Sequence, residues 1–215
     1  MKRIALDGRI TRQLSVGMRA YTRELTERLP RVAPDLEFVV FRAGGNFGWT
    51  EQVRLPLAIR AANPDLTHFL SHYAPVLPAR PYVITVHDLI HLLFPRQFKM
   101  KVGPYYRTVV RFVCARAARV ITDDERTVGD LRRFLAVPPE RVRVIPLGVD
   151  DLFLRPIERH RAGRPYFLYA GNHRRHKDLR TLFEAWKALP EECAADLFIT
   201  GDDDFGLSLI HISEP

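Results

Sequence analysis

Tyr166-Phe-Leu-Tyr-Ala-Gly171-Asn-His-Arg-Arg-His-Lys177-Asp178 joins an apolar run to a cationic loop, and an amphipathic pattern follows at once. An apolar run closed by glycine reads as a buried strand ending in a tight turn. Glycine at a strand end lets main chain approach an anion closely, and the N–H groups of a following helix favour phosphate. Arg174 and Lys177 add two cations suited to a pyrophosphate. Lys177 at a helix start opposes the helix dipole unless an anion sits there, which strengthens the phosphate reading. Asn172, beside the glycine, is a cleft-lining candidate. The chain has 38 residues after Lys177, so one full domain followed by the opening of a second is expected.

Upstream, the order of strand then helix repeats. Ile4–Asp7 is a short strand, and Met18, Tyr21, Leu25 and Leu29 recur at helical spacing until Pro30 and Pro34, which are expected to close that helix. Leu36–Phe41 is a second strand, Gly44-Gly45 a turn and 51–62 a helix. Asp65–Leu70 and Tyr82–Val86 are further strands, separated by a loop rich in proline. Tyr106, Val109, Val110, Val113 and Ala117 mark a long helix, followed by strand Arg119–Thr122, helix Asp130–Leu135 and strand Val142–Ile145. Apolar strands alternating with helices predict an α/β, doubly wound, mostly parallel sheet covered on both faces. Residues 1–150 form the first domain and the polar stretch 151–165 a linker. Residues 166–206 open a second domain, with strand 166–170, a helix from about 178 to 189 and strand 196–200.

Lys and Arg outnumber Asp and Glu by 33 to 25, giving a net charge of +8 and a pI near 9.9. That balance favours anionic partners such as nucleotide-sugars, polyprenyl phosphates or phospholipid surfaces. The excess reads as spread along the chain. No Lys/Arg run interleaved with aromatics marks a nucleic-acid track, so no nucleic-acid partner is expected. Cys114 and Cys193 offer neither a disulfide framework nor zinc-ligand spacing, and their apolar settings predict two buried thiols. His68, His72 and His91 are irregularly spaced with no paired carboxylate, and no metal site is expected. With no apolar leader and no run of about 18 apolar residues, neither a signal peptide nor a membrane span is expected. The expected location is the cytoplasm, with peripheral contact at the inner membrane surface.

In an open parallel sheet, ligands gather beyond the carboxyl ends of the strands. Ser15-Val-Gly17-Met18 puts a glycine at a helix start behind the first strand, where main-chain N–H groups can meet an anion. Thr85-Val-His87-Asp88 places a His-Asp pair directly after a buried strand. Neutral His87 can donate to a sugar hydroxyl or accept from one. Adjacent side chains of a strand point opposite ways, so Asp88 need not touch His87. Asp88 and His72 are cleft-lining candidates; in the plainer reading Asp88 caps a turn. A dinucleotide oxidoreductase is disfavoured, because Asp-Gly-Arg-Ile-Thr stands where Gly-x-Gly-x-x-Gly would.

Several ordered motifs carry a resemblance. Thr67-His-Phe-Leu-Ser-His72, Tyr82-Val-Ile-Thr-Val-His-Asp-Leu-Ile90, Leu93-Phe-Pro95, Arg119-Val-Ile-Thr122 and Val144-Ile-Pro-Leu-Gly-Val-Asp150 resemble the N-terminal domain of retaining GT-B glycosyltransferases of family 4. Phe167–Leu179 is similar to the opening of their donor-binding domain, commonly Gly-Asn-x-Arg-Pro-His-Lys-Asn-Leu. The likeness covers about residues 1–201 and is specific to the family, not to a donor sugar. It implies a GT-B-like fold, with a Rossmann-like N-terminal domain and the first βαβ of a second Rossmann-like domain. It implies transfer of a hexosyl group, for instance mannosyl, from a nucleotide diphosphate-sugar to a glycan or lipid-linked cell-envelope acceptor, with retention. By the same resemblance His87 is the catalytic residue at the transferred sugar. Gly17 and Gly171 lie at the donor phosphates, and Arg174 with Lys177 bind the pyrophosphate. Neither cofactor nor metal is expected. Arg175 replaces the usual proline and Asp178 the usual asparagine. Nothing matches the family's acidic Glu-x7-Glu element. The chain is therefore expected to be a fragment without turnover, with 207–215 a non-native tail. The competing reading, of another class, is a non-catalytic domain that binds an acceptor or an anionic membrane surface.

Overall fold

Upstream of residue 149, every predicted apolar run becomes a strand of one sheet in the computed structural model, which describes residues 1–79, 81–156, 163–190, 193 and 195–201. The strands are β1 (Lys2–Asp7), β2 (Leu36–Phe41), β3 (Leu66–Phe69), β4 (Tyr82–Thr85), β5 (Arg119–Thr122) and β6 (Val142–Val144). All neighbours pair in parallel, in the order β2-β1-β3-β4-β5-β6. Parallel neighbours need crossovers, and these run through α1 (Val16–Val32), α2 (Leu55–Ala62), α3 (Ile90–Leu93), α4 (Val102–Tyr105), α5 (Arg111–Arg116) and α6 (Glu125–Leu135). The chain leaves β1 for β2 on one side and returns for β3 on the other. This reversal opens the sheet between the carboxyl ends of β1 and β3. The doubly wound α/β expectation holds.

The core sits between the strands and their helices. Phe69, Tyr82, Ile84 and Val120 meet Ile59, Val113 and Leu131 in one buried cluster. Tyr82 donates its hydroxyl hydrogen to the carbonyl of Val113 at 2.7 Å, so the largest buried ring leaves no polar group unpaired. Three boundaries differ from the sequence reading. Helix α1 runs through Pro30 to Val32; the proline is exposed in the last turn and removes only one intrahelical hydrogen bond. Helix α6 starts at Glu125 rather than Asp130, because the Asp124 carboxylate accepts from the N–H of Arg126 at 2.7 Å and caps an earlier turn. The expected long helix is α4 and α5 joined by a π-helical turn at Tyr106–Val110.

Two compact units divide the chain, Met1–Gly148 and Val149–Pro215. In the second, Asp150 caps α7 (Asp151–Leu154) by accepting from the N–H of Leu152 at 2.9 Å, so the expected linker contains one helical turn. Its residues 157–162 lie outside the described residues, as do 202–206 and the tail 207–215. The parallel pair β7 (Tyr166–Ala170) and β8 (Asp196–Thr200), with α8 (Leu179–Lys187) between them, makes the expected βαβ. Leu182, Phe183 and Trp186 of α8 are only half-buried, and no residue of that helix is fully buried. Cys114 is buried, and burial pushes its thiol up to about 12. Cys193 is exposed, contrary to expectation, because it lies in the turn beyond α8, where its N–H bonds the carbonyl of Pro190 at 2.8 Å. Among the described residues no helix is long and apolar enough to cross a membrane.

Candidate functional site

The first cluster is built by strand register. β4 pairs with β5 so that Thr85 stands opposite Ile121. Continued two residues on, the same register sets His87 against Asp123, both just past the carboxyl ends of their strands. His87 Nδ1 lies 3.1 Å from Asp123 Oδ2. A carboxylate at Nδ1 favours the tautomer with its proton there, which leaves the Nε2 lone pair as acceptor. Nε2 is buried and has no partner among the described residues. Tyr21, in the second turn of α1, packs edge-on against the imidazole at 4.6 Å. Its hydroxyl lies 3.2 Å from Thr85 Oγ1, to which His68 Nε2 also comes within 2.9 Å. Burial, with a smaller effect from His87, lowers the His68 pKa to about 4. The ring beside His87 is therefore neutral near pH 7.

The remaining sequence candidates of this unit fall around that dyad. Asp88 does not partner His87; it is exposed and accepts from the N–H of Ile90 at 3.1 Å, capping the turn into α3. Gly17 is the second residue of α1, behind Ser15, whose hydroxyl accepts from the N–H of Met18 at 3.3 Å. A Cβ on Gly17 would meet no atom within 4 Å. No packing constraint demands glycine there, and the first turn of α1 is left open. His72 is buried rather than set on an open wall. Its Nε2 shares the Tyr106 hydroxyl with His91 Nδ1, each at 3.0 Å. Burial first, then the nearby His91 and His87, lower its pKa to about 3. Among the described residues no group of three or more His, Cys, Asp or Glu side chains is placed to hold a metal ion.

A buried ion network at the β1–β3 opening was missed from sequence. Arg9 grips both carboxylate oxygens of Asp7 at 2.7 Å and reaches Glu51 at 3.3 Å. It also donates to the carbonyls of Gly45 at 3.0 Å and Tyr73 at 3.3 Å. Burial opposes the guanidinium charge, and Asp7 and Glu51 more than offset this, so the group is held above its ordinary range. One side chain thus ties together the loops after β1, β2 and β3. The only sequence signal was an Asp-x-Arg step at the first strand end.

In the second unit the glycine loop has a different shape from the one predicted. The N–H of Gly171 is taken by the carbonyl of Thr200 at 3.1 Å, so it serves β8 rather than a ligand. Gly201 has φ +134°, and a Cβ there would overlap the carbonyl of Gly171, which makes glycine obligatory where the two strand ends meet. Lys177 lies in a 3₁₀ turn, Arg175–Lys177, whose N-cap is Arg174. Asp178, left-handed at φ 51°, separates that turn from α8. Lys177 therefore stands outside the first turn of α8, and the dipole conflict argued from sequence does not apply to it. The side chain of Lys177 is exposed and that of Arg174 half-buried. Tyr169 donates its hydroxyl hydrogen to the carbonyl of Asn172 at 2.7 Å. Asn172 Oδ1 and His173 Nε2 are buried with no partner among the described residues.

The model of the family described as Glycosyltransferase Family 4 matches residues 15–152. This chain belongs to glycosyltransferase family 4. The match runs from the N-cap of α1 into α7 and includes Gly17, His87 and Asp123. It ends before β7, so the Gly171–Lys177 loop of this family 4 chain lies outside it. A search of curated proteins found no match. Family membership makes glycosyl transfer the general activity of the protein.

Proposed function

We propose that this family 4 glycosyltransferase moves a hexosyl group, for instance mannosyl, from a nucleotide diphosphate-sugar to a glycan or lipid-linked acceptor, with retention of anomeric configuration. The observation that carries this reading is the His87–Asp123 pair at 3.1 Å, with Nε2 buried and unpartnered among the described residues. Such an imidazole accepts a hydrogen bond from a sugar hydroxyl at Nε2 and holds the transferred sugar in place as the transition state forms. Asp123 acts through His87 by holding its tautomer. Gly17 leaves the start of α1 accessible to a donor phosphate. In the second unit, Arg174 and Lys177 meet the pyrophosphate charge, and Asn172 Oδ1 and His173 Nε2 supply polar contacts of the same loop.

Binding decides the donor class, because it does not depend on turnover. Calorimetric titration with UDP-, GDP- and ADP-hexoses is expected to find one nucleotide that binds. Arg174→Ala and Lys177→Ala should each weaken it about 10-fold or more, the worth of one charge-assisted hydrogen bond. Binding of none of the three refutes the donor assignment. Where transfer is followed, His87→Ala should lower the rate about 10²- to 10⁴-fold, and Asp123→Asn should lower it less. A product of inverted anomeric configuration refutes retention.

A further inference from the structure

We infer that Tyr21 is a positioning residue that fixes the plane of the His87 imidazole and ties it to helix α1. The acceptor lone pair on Nε2 lies in the plane of the ring, so it is aimed only when both the tautomer and the plane are set. Asp123 sets the tautomer. Its bond to Nδ1, at 3.1 Å, pins one atom and leaves the ring able to swing about it. The main chain is held just before, where the N–H of Val86 bonds the carbonyl of Ile121 at 2.8 Å. The plane remains to be fixed. Tyr21 meets the imidazole at 87°, with ring centroids 4.6 Å apart, which is the edge-to-face geometry that aromatic pairs prefer. A swing of His87 out of its plane either drives the ring into the phenol or gives up that contact.

The phenol is itself anchored. Its hydroxyl and His68 Nε2 both meet Thr85 Oγ1, at 3.2 and 2.9 Å. A threonine hydroxyl has one hydrogen, so it donates to one of these partners and accepts from the other, and both bonds hold only while Tyr21 stays in place. Thr85 is 1% exposed, so water does not replace a partner that leaves. Burial raises the Tyr21 phenol above its ordinary range, more than the bond with Thr85 lowers it, and the hydroxyl stays protonated near pH 7. Thr85 lies two residues before His87, so the anchor of Tyr21 and the ring that Tyr21 orients belong to one strand end. On α1, Gly17 and Tyr21 are four residues apart, on one face and about 6 Å from each other along the axis. The open start of α1 and the imidazole of His87 thus bear on one rigid element, with no loop between them. That link matters for sugar transfer only through the reaction proposed above, whereas the positioning itself does not depend on it.

Imidazole NMR on the purified chain tests this without turnover. In the wild type, long-range proton–nitrogen correlation spectra should show His87 as one tautomer, protonated at Nδ1. Its ring should relax as a rigid group, with an order parameter of about 0.85. Tyr21→Leu should keep the tautomer, because Asp123 remains, while the order parameter falls below about 0.6. Tyr21→Phe keeps the ring and loses only its anchor, so the fall should be smaller. Asp123→Asn should do the opposite, mixing the tautomers with the ring order kept. Circular dichroism melts verify that each variant folds. Where transfer is followed, Tyr21→Leu should lower kcat about 10- to 100-fold with donor Kd unchanged, and should cost nothing further in a His87→Ala background. A mobile His87 ring in the wild type, unchanged ring order or a lost tautomer in Tyr21→Leu, an equal fall in Tyr21→Phe, or a further loss in the His87→Ala background would overturn the proposal. Ring behaviour as expected beside an unchanged kcat supports the positioning and refutes instead the role assigned to His87 in transfer.

Discussion

β4 and β7 are both short apolar strands ending near a polar loop, yet the fold treats them differently. In β4, Tyr82, Ile84 and Thr85 are buried between neighbouring strands and helices. In β7, Tyr166, Phe167 and Leu168 are 42%, 54% and 60% exposed, and β8 is its one partner strand among the described residues. Local sequence is sufficient to make a strand, but burial depends on how many elements converge on it. Parallel strands depend on cover over both faces, and a two-stranded sheet with one helix supplies little of it.

Hydrogen exchange puts the largest number on that contrast. Amides of β4 should be protected at least about 10³-fold more strongly than those of β7, and equal protection in the two strands would break the comparison. Charge removal should sharpen it. Arg9→Met leaves Asp7 and Glu51 buried without their cation, and a loss of about 3–5 kcal/mol is expected in urea unfolding. In the second unit, Arg180→Met breaks an exposed pair with Glu184 and should cost less than about 0.5 kcal/mol. Truncation should follow the same rule. Ile84→Ala, at a fully buried position, should lose about 2–5 kcal/mol, and Leu168→Ala should stay within about 0.5 kcal/mol.

The last contrast concerns pH. Burial holds His68 neutral down to about 4 and His72 down to about 3, whereas both titrate near 6.5 when unfolded. Between those values the unfolded chain binds more protons than the folded one. Stability is therefore complete above pH 6.5 and falls as the pH drops through this window, by at most about 1.4 kcal/mol per pH unit for each histidine. Urea unfolding of His72→Phe should show a shallower decline from pH 6.5 to 4.5 than the wild type. An unchanged slope would show that His72 is not buried neutral.

The strands and their order were legible because each is an apolar run bounded by turn residues. The ends of α1 and α6 were not, since an exposed proline can ride in a last turn and a cap such as Asp124 is one carboxylate among several nearby. His87 was legible as a rim residue. Strand alternation leaves the neighbouring Asp88 free of it, and its partner, Asp123, lies 36 residues on, where only the fold brings it. The Gly171 loop shows the reverse case. Glycine was rightly placed at a strand end, but Gly171 gives its N–H to β8, and it is at Gly201 that a Cβ would overlap backbone, the carbonyl of Gly171.

The sequence by itself determined the parallel α/β class, the order of its elements and a histidine at a strand end, because hydrophobic period and turn chemistry act over a few residues. Tertiary structure alone decided which carboxylate orients that histidine and that Arg9 binds three loops at once. Those outcomes depend on strand register and helix packing, which bring together residues that chain order keeps apart.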